Sequence, residues 1–178
     1  MRKFYHWLVL PVAALSSSQA RADNNTYAEI GNWSVTVTSH NTCYAVLVYS
    51  EVSMAVEYNA QNAHVILYLG NENATSVKDG QTIKLSLIFT RDEHTDDGWG
   101  EQEFTAHANE DGSRLFDSSG WFKPEMLDDI AKNDYFMALY NGKLVSGAKL
   151  NNSAAVVAQL RECSVKAANL NPKDPFLP

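Results

Sequence analysis

Apolar residues at every second position dominate this chain, and that period limits what it can fold into. After Asp79-Gly80, Ile83, Leu85, Leu87 and Phe89 occupy alternate positions, so an extended strand would carry one apolar face for four pleats. A helix would scatter the same side chains around its surface. The same period recurs in 33–38, where Trp33, Val35 and Val37 alternate with Ser34, Thr36 and Thr38. It recurs in 62–69 through Ala63, Val65, Leu67 and Leu69. Residues 43–50, rich in Val and Tyr, read as a further strand, as do 53–58, 103–108 and a short stretch around Leu115-Phe116. Asn141-Gly142, the pair that type I′ turns prefer, predicts a hairpin of 135–140 with 143–150.

The intervals have turn chemistry. Ser39-His40-Asn41, Asn71-Glu72-Asn73 and Asn109-Glu110-Asp111-Gly112 break the strands, residues 23–30 read as a polar lead-in, and 91–103 as an acid-rich connection. Pro124-Glu125 opens a short helix with Met126, Leu127 and Ile130 on one side. Asn152-Ser153 caps a second, Ala154–Cys163, whose Val156, Leu160 and Cys163 share a face. The expected fold is mainly β: one antiparallel β-sandwich or partly open barrel of about eight strands, with two short helices and one disulfide. It would occupy residues 23–165 as a single domain, followed by a disordered tail at 166–178.

Arg2 and Lys3 precede a nine-residue apolar run, Trp7 to Leu15, and then small and polar residues ending in Ala20-Arg21-Ala22. That is the pattern of a signal peptide cleaved after Ala22, and the run is too short to span a bilayer, which needs about 20 residues. The expected compartment is therefore the periplasm or the exterior. The whole chain carries 14 basic and 21 acidic residues, net −7; without residues 1–22 the balance is 11 against 21, or −10. Such a charge argues against nucleic acid, which demands a basic face, and in favour of a cationic protein or envelope component as partner. In an oxidising compartment the two cysteines, Cys43 and Cys163, are expected to pair.

The most conspicuous cluster is 91–103, with six carboxylates and His94 within 13 residues. An EF-hand register fails in both frames: beginning at Asp92 it meets His94 and Asp97 at the wrong places, and beginning at Glu93 it ends on Phe104. A solvated acidic loop fits better, with Asp92, His94, Asp96, Asp97, Trp99 and Glu101 as the candidate binding residues. Trp99, between Gly98 and Gly100, either anchors a partner or folds back on the core; Trp121-Phe122 is expected in the core. His64 and His107 fall opposite the apolar faces of their strands. No zinc spacing, Gly-x-Ser-x-Gly, Ser-x-x-Lys or phosphate-cradling loop occurs, so no cofactor is expected and the enzyme reading narrows to a hydrolase with distant Ser, His and Asp residues.

Gly31-x-Trp33-Ser34-Val35, Cys43 and the closing Leu150-x-x-Ser153-x-Ala155-x-x-x-x-Leu160-x-x-Cys163, behind a signal peptide, resemble the invasion-associated locus B family across 31–163. The additional cysteines of that family have no counterpart here. The resemblance implies a periplasmic β-sandwich without enzymatic activity. The expected function is a non-enzymatic exported binding protein that meets a cationic partner through its acidic loop, with a hydrolase or a calcium-dependent module as the alternatives.

Overall fold

The period-two segments become strands of one sheet in a computed structural model, which describes residues 26–38, 42–49, 52–91 and 98–170. In chain order these are β1 (Thr26–Ile30), β2 (Trp33–Val37), β3 (Cys43–Val48), β4 (Val52–Asn59), β5 (His64–Asn71), β6 (Thr82–Thr90), β7 (Gly98–Ala108) and β8 (Arg114–Ser118). Helix α1 (Glu125–Lys132) precedes β9 (Tyr135–Tyr140) and β10 (Lys143–Lys149), and α2 (Ser153–Leu170) closes the fold. All ten strands join in the order β1-β2-β3-β4-β5-β8-β7-β6-β9-β10, each pair antiparallel. The β6–β7–β8 segment is inserted in reverse, which brings β8 rather than β6 beside β5.

The expected mainly β class, the two helices and the disulfide are present, and the Cys43–Cys163 bond spans 120 residues of sequence. The strand number is ten, not about eight. The missed strand is β1, in the segment read as a polar lead-in. It has no strict apolar period and a bulge between Thr26 and Ala28; its ladder with β2 holds it extended. Nor does β7 wait until residue 103. It begins at Gly98, because pairing with β6 carries a stretch whose own side chains give no alternation. Gly98 suits that entry, since a β-carbon there would sit 2.6 Å from the Leu87 carbonyl oxygen.

Alternate residues of every central strand point to one side and are buried, among them Leu47, Met54, Leu67, Leu85, Leu87, Phe104, Phe116 and Phe136. Met126, Leu127 and Ile130 of α1 and Val156, Leu160 and Cys163 of α2 join the same cluster. Both helices therefore lie on the apolar side of the sheet. Helix α2 is 18 residues long and not short: it continues through 166–170, the start of the expected tail. Two side chains draw β10 back toward the first half of the sheet. The Tyr49 hydroxyl donates to the Lys149 carbonyl at 2.8 Å, and the Asn71 amide donates to the carbonyl of Val145. The expected signal segment, the expected turn at 39–41 and the residues beyond 170 lie outside the described residues.

Candidate functional site

Strand β7 sets Glu101 and Glu103 on the solvent side of the sheet, opposite Ser86 and Lys84 of β6. Beyond β8 the chain leaves the sheet and crosses next to them. Its path is fixed at both ends by backbone hydrogen bonds. Ser119 N–H donates to the Glu103 carbonyl at 2.9 Å, and Phe122 and Val65 exchange bonds of 2.8 and 3.1 Å. With the flanks pinned, Phe122 turns inward and is buried, while Trp121 between them faces outward and is 67% exposed.

Trp121 is nevertheless placed. Its indole lies on the His64 imidazole, with centroids 3.9 Å apart and planes 13° from parallel. Nδ1 of His64 is buried and has no hydrogen-bond partner among the described residues. One indole face thus rests on the protein. The open side adjoins a shallow cleft of about 330 Å³ bordered by Lys84, Glu101, Gln102, Glu103 and Ser119. Two carboxylates and one ammonium stand beside an exposed aromatic ring, an arrangement suited to a cation that a ring face and carboxylates share.

Among the sequence candidates, Glu101 belongs to this cleft. Trp99 does not offer a free ring: it is half-buried, packs edge-on against Phe122 at 5.6 Å, and its Nε1 donates to Asp129 at 2.7 Å. Gln102 donates to the Trp99 carbonyl at 2.6 Å, tying the strand entry down. Asp92, His94, Asp96 and Asp97 lie outside the described residues. The expectation that Trp121 joins the core is overturned, because the apolar neighbours that suggested it, Phe122 and Met126, fill the core without it. Sequence reasoning missed its role because alternation over only two residues, Trp121 out and Phe122 in, has no periodic signature.

His107 faces outward, as its strand position implied, and its Nε2 stands 2.9 Å from Asp117. Ser119 Oγ shares a 3.0 Å bond with Thr105. No serine hydroxyl bonds His107 among the described residues, so the dyad there is an exposed hydrogen-bonded pair on a sheet face. Elsewhere on that face Glu57 accepts from Thr42 Oγ1 at 2.6 Å and from the Tyr68 hydroxyl at 2.9 Å, with Tyr44 edge-on to Tyr68. Among the described residues no three or more His, Cys, Asp or Glu side chains gather as a metal site would require. Compared with known proteins, the chain matches no known family, no curated sequence and no solved structure. The site is argued from its own geometry.

Proposed function

We propose that the protein is an exported, non-enzymatic binding module that captures a cationic macromolecule on the patch formed by Trp121, Glu101 and Glu103. The observation that carries this reading is the exposed Trp121, held flat by His64 at the edge of an acidic cleft. An exposed tryptophan costs solvation unless something covers it, and aromatic anchors ringed by charge concentrate binding energy. The acidic run Asp92, Asp96 and Asp97 directly precedes β7 in the sequence. The signal pattern and net charge support the periplasm or exterior as its location, and the invasion-associated locus B resemblance agrees with that. The sheet is read as a partly open barrel, on the return of β10 toward β3 and β5.

A basic cell-wall hydrolase is the specific partner proposed, and hen lysozyme is a convenient probe. Surface plasmon resonance at low salt is expected to show binding that weakens as salt rises. Trp121→Ala combined with Glu101→Gln is expected to weaken it at least tenfold, as loss of an aromatic hot spot does. Asp96→Ala with Asp97→Ala is expected mainly to slow association. Binding that survives all four substitutions unchanged would sink the proposal.

A further inference from the structure

A second cavity lies between the loop after β5 and the β9–β10 hairpin. It measures about 550 Å³, within the range of small-molecule sites, which favour the mouths of β-barrels. Its floor is Phe116 of β8 and Ile83 of β6, and its walls are Val77 on one side and Leu144 and Val145 on the other.

Both walls are built. Arg114 holds the loop carrying Val77: its Nε donates to the Val77 carbonyl at 2.6 Å and its Nη2 to the Thr75 carbonyl at 3.2 Å. On the hairpin side, a bulge in β10 between Leu144 and Ser146 gives Val145 no cross-strand partner. Bulges re-aim side chains at the rims of barrels and beside sites. Here the freed Val145 carbonyl accepts from Asn71, its side chain packs on the core, and Leu144 stands 63% exposed over the cavity edge. Tyr140, 43% exposed, stands at the same rim.

The charge at this cavity opposes that of the molecule. Among the described residues no acidic side chain lines it, and the one charged side chain there is Lys143, beside Leu144. We infer that the cavity binds a small anionic amphiphile, an aliphatic or aryl body lying on Val77, Ile83 and Leu144 with its carboxylate or comparable anion at Lys143. This site is separate from the Trp121 patch and does not depend on it.

Calorimetric titration of the purified protein with dodecanoate, kept below its micelle concentration, tests the assignment. One dodecanoate per chain is expected, with dodecyltrimethylammonium at least tenfold weaker. Lys143→Glu, an exposed substitution that leaves the fold intact, is expected to weaken dodecanoate about tenfold by replacing an ion pair with repulsion. Val77→Trp, which fills the cavity, is expected to abolish binding while circular dichroism stays that of the parent. Trp121→Ala should bind dodecanoate normally, which separates this site from the lysozyme result. No dodecanoate binding, equal affinity for the cationic probe, or an unchanged affinity in Lys143→Glu would each overturn the inference. So would pelleting with phosphatidylglycerol vesicles without capture of monomeric dodecanoate, which would make the hairpin a membrane contact rather than a pocket wall.

Discussion

Glu57 shows how much one outward-facing carboxylate can organise. It lies on β4 between Tyr44 and Ile66 of the flanking strands and holds the hydroxyls of Thr42 and Tyr68. Burial pushes the Tyr68 phenol well above its ordinary value of 10.0, and its hydrogen bond to Glu57 and the nearby negative charge push it further. Tyr44 is raised as well, first by burial and then by Glu57. A phenol raised in the folded state lends stability that is complete below the unfolded value, near 10.0, and is lost as pH rises through and beyond it. Ultraviolet titration is therefore expected to show two tyrosines that stay protonated past the main step. Glu57→Gln should bring them closer to it, and stability measured by denaturant should fall above about pH 10. A titration in which every tyrosine ionises in one ordinary step would contradict this account. None of the network was legible beforehand, since Thr42, Glu57 and Tyr68 meet only when β3, β4 and β5 adopt this register.

At the scale of elements, the last helix depends on what it touches. Its apolar positions Val156, Leu160 and Cys163 were readable from spacing, but the segment 164–170 has too few large apolar residues to predict a helix. Tertiary contacts continue it. Ser164 is buried, accepts from Ala60 N–H at 2.8 Å and donates to the Tyr58 carbonyl at 2.9 Å. Lys166 bridges Glu162 at 2.7 Å within the helix and reaches the Tyr27 hydroxyl at 2.8 Å. Ahead of the helix, Trp33 Nε1 donates to the Asn151 carbonyl at 3.0 Å, so β2 grips its approach. The Cys43–Cys163 bond fastens the helix centre to β3. Replacing both cysteines by serine is expected to cost up to about 5 kcal/mol in a denaturant titration, the chain-entropy limit for so long a loop. Hydrogen exchange should then show α2 losing protection before β6 and β7. Uniform loss across the fold would indicate that the helix is not a separate unit. Strand β1 follows the same logic, an edge strand specified by β2 and α2 rather than by its own sequence.

At the scale of the whole molecule, closure depends on a few side chains. Among the described residues no backbone ladder joins β10 to β1, so the sheet stays open and β10 is held near β3 and β5 through Tyr49 and Asn71. Asn71→Ala with Tyr49→Phe removes two neutral hydrogen bonds and is expected to cost about 2 kcal/mol. Amides of β10 should exchange faster while those of β6 do not change. Loss of stability spread evenly over the sheet would argue against a hairpin that moves on its own. What the sequence determined by itself was whatever repeats locally: the two-residue period that makes strands, the Asn141-Gly142 hairpin, the apolar sides of both helices and a pair of cysteines suited to one bond; Asp79-Gly80, a hairpin signal by sequence, instead lies between β5 and β6, which do not pair. Those signals depend on neighbours within a few residues, where pleat and helix geometry dictate facing. The tertiary structure decided the rest. It set the order in which β8, not β6, meets β5, the turning of Trp121 outward and Trp99 inward, and the cavity beneath the hairpin. Each of these arises where segments distant in the chain come together, and strand alternation says which face a residue takes but not which strand lies beside it.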